Sequence, residues 1–377
     1  MTAFETMQRY YQQRDLAAKE WKKNGGKVVG YFCDSVPEEL ILAAGFFPLR
    51  LTGDPHSGTE EIDKYLETFY EGFVRTSLNM ILTGKYNFVD YLVIPRARDS
   101  VAQLYSHLCQ IKSLNPATKL PFLYFLPQVQ PRSYMSGFFN HDRILEFKEQ
   151  LEKWVGKKIT KKALSKAIVI TNKNKKLLKK VAVLRAADPP RISGVEALQI
   201  IGSSMFMLKE EHNNLLSKFL SEAEKLPVKN GVRLFIEGSP IDNLQLYKII
   251  ESCGATIVAE DNCWGNRYSD TPINTTIDPL EAIISRYQNK SPCPYVFFPA
   301  GLRAEYCQNK TVESKARGVV FYISEWDPAQ IWDYPEQKRV LEAKGIPTVC
   351  FMHQKYLISD AKPLEAGIEK FVGSIGA

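Results

Sequence analysis

Short apolar runs that end in polar loops, each followed by an amphipathic stretch, recur in two separate parts of the chain, and this alternation constrains the fold more than any other feature. In GKVVGYFCDSVPEELILAAG, KVVGYF (27–32) reads as a buried strand and PEELILAAG (37–45) as the helix behind it, with Gly45 as its stop. Ser35 and Glu38 have capping-box spacing, and Pro37 suits a first helical turn. FFPLRL, the helix-like 60–84, VDYLVIP (89–95), the helix-like 99–112 and PFLYFLP (121–127) continue the pattern. Strand and helix in turn predict a parallel sheet with helices on both faces.

Between about 141 and 226 the pattern changes to long amphipathic helices: RILEFKEQLEKWVG, a lysine-rich 160–185, GVEALQIIG and EEHNNLLSKFLSEAEK. Alternation returns at GVRLFIEGSP (231–240) and runs through NLQLYKIIESCG, ATIVAED, ARGVVFYISEWDP, YPEQKRVLEAKG and IPTVCFM. The expected fold class is therefore α/β, with two doubly wound parallel-sheet lobes joined by a helical segment. The expected boundaries are 1–140 and 229–377 for the lobes and 141–228 for the helical connector or cap. VDYLVIPRARDS and GVVFYISEWDPA correspond to one another, each an apolar strand ending in a short loop that carries an aspartate. Doubly wound sheets bind ligands beyond the carboxyl ends of such strands, so a cleft between the lobes is the expected site for a small-molecule substrate.

A length of 377 residues suits two domains, and 45% hydrophobic with 24% charged residues suits a folded soluble protein. The first residues are charged and amphipathic rather than an apolar secretory core, and no run of roughly 18 apolar residues occurs, so a cytoplasmic location and no membrane partner are expected. The net charge of +7 comes largely from the block between Lys157 and Lys180. No aromatic residues are interleaved with those lysines, so the block reads as a solvated helix face and not as a nucleic-acid surface. Seven cysteines, an odd number with no CxxC pair, argue against a disulfide framework. No two of the five histidines have metal-ligand spacing, and GxSxG, GxGxxG and GxxxxGK[ST] are absent.

Cys33 lies between a strand and a helix start, where the macrodipole would lower its pKa. Cys263 in EDNCWGNR has a similar setting in the second block, and Cys293 in SPCPYVF lies between two prolines. These thiols read as small core residues, metal ligands or, for Cys33, a nucleophile, although no histidine is evidently placed to pair with it. Cys109 and Cys350 read as core residues. Glu237, in the EGSP loop, is the best carboxylate candidate for catalysis, with helix capping as its plainer role.

VGYFCDSVPEELILAAGFFPLRL closely resembles the N-terminal motif of the (R)-2-hydroxyacyl-CoA dehydratase and ATP-dependent benzoyl-CoA reductase family. The likeness continues through VDYLVIPRARDS, the EEHN segment, EGSP, EDNCWGNR with DPLEAIISRY, and GVVFYISEWDPAQIWDYP. The resemblance implies a two-lobed α/β subunit that pairs as a heterodimer or homodimer. It also implies a [4Fe–4S] or double-cubane cluster, charged by an ATP-hydrolysing activator for reductions or radical dehydrations of CoA thioesters. The three places it assigns to the usual cluster cysteines hold Val74, Arg98 and Trp326 here. Cys33, Cys263 and Cys293 fall where the double-cubane branch places additional cysteines, and they are the candidate cofactor and metal ligands for an iron–sulfur cluster, 4Fe–4S or larger. Arg98 then becomes a candidate catalytic residue, a permanent planar donor for a thioester carbonyl, carboxylate or phosphate.

Two functions follow from the resemblance. One is an iron–sulfur redox subunit of a reductase or dehydratase, delivering low-potential electrons to a substrate, an acyl-CoA among the options, in the inter-lobe cleft. The alternative is a cluster-free structural or binding subunit that stabilises a catalytic homologue.

Overall fold

In the computed structural model of the chain, which describes residues 1–129, 133–295 and 299–376, eight strands build two four-stranded sheets. The first sheet holds β1 (Val28–Tyr31), β2 (Phe47–Arg50), β3 (Tyr91–Pro95) and β4 (Phe122–Leu126), in the order β2-β1-β3-β4. The second holds β5 (Val232–Gly238), β6 (Ala255–Glu260), β7 (Gly318–Ser324) and β8 (Thr348–Gln354), in the order β6-β5-β7-β8. All the pairings are parallel. Both sheets therefore repeat one winding: the chain leaves a central strand for one edge, then returns to the other side of that strand. The winding reverses between β1 and β3 in the first sheet and between β5 and β7 in the second, the two positions where doubly wound sheets open a crevice.

The helices are α1 (Ala3–Gln12), α2 (Leu16–Lys23), α3 (Glu38–Ala44), α4 (Gly72–Leu82), α5 (Asp99–Leu114), α6 (Tyr134–Val155), α7 (Lys161–Ala186), α8 (Gly194–Ser203) and α9 (Lys209–Ser221). After β5 follow α10 (Gln245–Ser252), α11 (Pro279–Gln288), α12 (Ala300–Glu313), α13 (Pro328–Glu342) and α14 (Lys362–Gly376). They cover both faces of each sheet, which is why β1 is buried along its whole length. Its side chains alternate: Val28 joins one apolar cluster, Val29 and Tyr31 another. Pro48 is accommodated within β2 because β2 is a sheet edge, where a missing N–H interrupts no ladder.

The lysine-rich helix α7 has the expected solvated face. Leu164, Ile168 and Leu178 turn inward, while Lys162, Lys166, Lys173, Lys176 and Lys180 are exposed. No helix among the described residues is long and apolar enough to cross a membrane.

Three local expectations need correction. The helical segment anticipated from 141 onward already begins at Tyr134. The anticipated helix over 60–84 is a 3₁₀ turn at Ile62–Lys64, then irregular chain, then α4. Asn79 Oδ1 accepts from the N–H groups of Glu61 and Ile62 at 2.9 and 3.2 Å, which ties the segment back onto α4 instead of extending it. The capping box at Ser35 and Glu38 does not form: Ser35 Oγ is buried without a hydrogen-bond partner, and Pro37 occupies the N-cap of α3. The Glu38 carboxylate turns instead to Tyr268 (2.7 Å) and Lys209 (3.2 Å).

Candidate functional site

The loops after β1, β3, β5 and β7 meet between the two sheets, around a cavity of about 290 Å³ whose wall includes Cys33, Arg50, Glu71, Arg98, Cys263 and Trp264. Arg50 is the last residue of β2 and is buried. Its guanidinium crosses to the other lobe, donating to the carbonyl of Cys263 at 2.9 Å and to its Sγ at 2.8 Å, and it lies 4.0 Å from the centroid of the Trp264 ring. A second, smaller cavity of about 40 Å³ adjoins it and is lined by Cys33, Cys263 and Cys293 together, with Arg98 and Tyr295. Three thiols from three separate segments thus converge on one space.

Arg98 caps the start of α5, directly beyond β3. Its guanidinium pairs with Glu71, whose other oxygen accepts from Ser100 Oγ at 2.7 Å, and it lies 4.0 Å from the centroid of the Tyr295 ring. The Tyr295 hydroxyl donates to Asp327 at 2.6 Å, and Ser239 Oγ, beyond β5, donates to the same oxygen at 2.6 Å. One network therefore links the loops after β3, β5 and β7.

The expected lowering of the Cys33 thiol is not borne out. Burial, and then the neighbouring Cys263, push it up to about 12, and α3 begins only at Glu38, too far along the chain for its dipole to compensate. Burial also raises Cys293. Between them Asp34 pairs with Lys290 at 2.8 Å; burial alone would raise its carboxyl, but the Lys290 ammonium and the Arg50 guanidinium hold it well below the usual range. A thiol held neutral, with no histidine in the described walls of either cavity, is poorly equipped for nucleophilic catalysis.

Of the other residues singled out from the sequence, Val74 is fully buried in the first lobe's apolar core and does not line either cavity. Trp326, just beyond β7, lines neither cavity and is 54% exposed, with a φ of 61°. Glu237 is absent from both cavity walls, because on β5 it shares the face of Phe235, which packs into the cluster containing Cys307 on the side of the sheet away from Leu234 and Ile236. There it accepts from Gln337 at 3.2 Å, and burial followed by the charge of Asp261 raises its carboxyl well above the usual value.

The donor chemistry of Cys33, Cys263 and Cys293 suits an iron–sulfur cluster. The space does not: about 40 Å³ has room for a few waters, and Cys263 Sγ is held by Arg50. Among the described residues no three His, Cys, Asp or Glu side chains are arranged to hold a metal ion. The arrangement as folded therefore does not fit a cluster.

A family model described as 2-hydroxyglutaryl-CoA dehydratase, D-component, matches residues 33–375. The chain belongs to this family. Similar members include the (R)-phenyllactyl-CoA dehydratase beta subunit of Clostridium sporogenes, 27% identical over 88% of this chain and 87% of the relative. A benzoyl-CoA reductase subunit of Thauera aromatica is 28% identical over 74% of each chain. The (R)-2-hydroxyglutaryl-CoA dehydratase beta subunit of Acidaminococcus fermentans is 26% identical over 88% of each. Within this family member, sequence reasoning missed Arg50, Glu71 and Tyr295. Arg50 had a signal, a lone charge within the apolar run FFPLRL, whereas Glu71 lay unremarked in a segment read as one continuous helix and Tyr295 lay between the recognised elements.

Proposed function

We propose that the chain is a cluster-free subunit of a dehydratase- or reductase-type assembly, in which the 290 Å³ cavity receives a small carbonyl- or carboxylate-bearing substrate. Arg50 and Arg98 supply the donors, an acyl-CoA is the substrate class the resemblance implies, and a homologous partner chain performs the redox chemistry. The observation that supports this reading is Arg98. At a position where the resemblance implies an iron ligand, a guanidinium lines both cavities, held by Glu71 and the Tyr295 ring. An arginine presents planar, permanently charged donors to a carbonyl or carboxylate, and it does not ligate iron as a thiolate does. The relatives' names as subunits support a partner chain.

The convergence of Cys33, Cys263 and Cys293 favours a second reading, an iron–sulfur seat fed by an ATP-hydrolysing activator, which requires the small cavity to open around the cluster. Iron and acid-labile sulfide, with a visible spectrum, on the chain purified without oxygen separate the two. A colourless chain that copurifies with an iron-bearing homologue supports the first. About four irons per chain, lost in Cys263→Ser, supports the second. Unaided turnover of a CoA thioester by the isolated, iron-free chain would overturn the assignment of the chemistry to a partner.

A further inference from the structure

Helix α7 carries a charge pattern that its own fold leaves unanswered. Its 26 residues include eight lysines, one arginine and no acidic residue. Four of these cations find partners inside the molecule: Lys161 on Asp278, Lys175 on Glu39, Lys179 on the carbonyl of Asp270 and Arg185 on Glu260. Lys162, Lys166, Lys173, Lys176 and Lys180 are exposed, and among the described residues none of their ammonium groups has an ion pair. The preceding helix α6 shows the ordinary solvated pattern, with acids interleaved among bases and paired within a turn, Arg143 with Glu146 and Lys148 with Glu152. On α7 the exposed neighbours a turn apart are like charges, Lys162 with Lys166, Lys173 with Lys176 and Lys176 with Lys180, and such pairs destabilise a helix. Lys161 and Lys162 also stand at the positive end of the helix dipole.

The five lysines are not scattered around the exposed half of the helix. Together with Val169 and Val183, 61% and 69% exposed, they alternate steps of four and three residues from Lys162 to Val183. That is the seam spacing along which one helix packs on another at about +20°. At 1.5 Å per residue the seam runs for about 32 Å. Both valines fall at the same heptad position. Lysine stems can pack on apolar side chains while their ammonium groups reach acids on either flank. The apolar side of α7, with Leu164, Ile168 and Leu178, is buried inside the protein, so the exposed side has no wedge to enter a bilayer. It offers neither an aromatic ring nor an arginine for stacking on bases.

We propose that this face of α7 is a docking surface for an acidic amphipathic helix of a partner protein. The partner's apolar seam would lie on Val169, Val183 and the lysine stems, with its flanking aspartates or glutamates on the ammonium groups. None of these residues lines either cavity, so docking here is separate from whatever the cleft receives.

Fluorescence anisotropy of the full chain with two labelled synthetic peptides of about 24 residues and identical composition tests this. One peptide places leucine at alternating steps of four and three with glutamate on both flanks; the other scrambles those positions. The patterned peptide should bind about tenfold more tightly, and its binding should weaken as salt is raised. Lys166→Gln, Lys173→Gln and Lys176→Gln together should abolish the preference, while the variant melts no lower than the parent chain because like-charge repulsion is relieved. Val169→Asp should reduce the preference with every lysine in place. Equal binding of the two peptides, binding of neither, or a preference that survives the triple substitution would overturn the proposal. So would tighter binding of a DNA duplex of about 20 base pairs, or of vesicles with about one-third phosphatidylserine, either of which would reassign the lysines to phosphate.

Discussion

Arg50 closes an apolar strand, yet its guanidinium ends between a sulfur, a carbonyl and an indole of the other lobe. Such a residue is legible in sequence as a misfit, but the partner that satisfies it lies more than 200 positions away and has no local signature. Glu237 shows the opposite failure. Its place at a strand end suggested catalysis, and strand alternation turned it away from the cleft into a dry site. Its raised carboxyl pKa means that the folded state retains a proton that the unfolded chain has released above pH about 4.3. Stability contributed at low pH is therefore lost as pH rises toward the folded value. Glu237→Gln should weaken this dependence, so that the fall in melting temperature between pH 5 and pH 8 is smaller than in the parent chain, with the buried Asp261, raised to about 6 chiefly by burial, supplying what remains. Val74 is a third case, since alignment with a cluster cysteine does not put it in the cleft. A Val74→Cys thiol should resist alkylation in the native protein and react only on unfolding; rapid native labelling would place it in the wall after all.

At the scale of elements, the PEEL motif at the start of α3 joins the first lobe to the long helices through two buried ion pairs. Glu39 pairs with Lys175 of α7 at 3.1 Å and accepts from Tyr287 of α11 at 2.9 Å, all three of these side chains lying within the protein. Glu38 pairs with Lys209 of α9 and accepts from Tyr268. Periodicity marked α7 as a basic amphipathic helix, but nothing local distinguished Lys175 from the lysines facing solvent. Lys175→Met leaves Glu39 buried without its cation and should destabilise the chain by about 3–5 kcal/mol in urea. Lys176→Met, on the exposed face, should change stability by less than about 0.5 kcal/mol. The capping signals divide the same way. Thr2 with Glu5 and Ser193 with Glu196 form reciprocal boxes at α1 and α8, while the matching spacing at Ser35 and Glu38 is overridden by tertiary partners.

Across the whole molecule, contacts between the lobes run from Tyr11 and Arg14 onto Asp242, from Glu38 to Tyr268 and from Arg50 to Cys263. With so many buried bonds between the halves, scanning calorimetry should record one cooperative transition. Arg50→Met, which leaves the Cys263 carbonyl unsatisfied, should lower it by the equivalent of about 2–3 kcal/mol. Two resolved transitions in the parent chain would show that the lobes unfold separately.

By itself the sequence determined the α/β class, the two parallel sheets, the helical stretch between them and the loops from which a site would be drawn. Those features follow from the periodicity of apolar residues, which each segment carries whatever surrounds it. It also marked Cys33, Cys263 and Cys293, and the structure brings all three to one cavity. Only the tertiary structure decided how much room they share, that the Cys33 thiol is raised instead of lowered, that Glu237 faces away, and that Arg50, Glu71 and Tyr295 complete the wall. Volume, desolvation and charge pairing are properties of groups brought together from distant parts of the chain, and no local pattern specifies them.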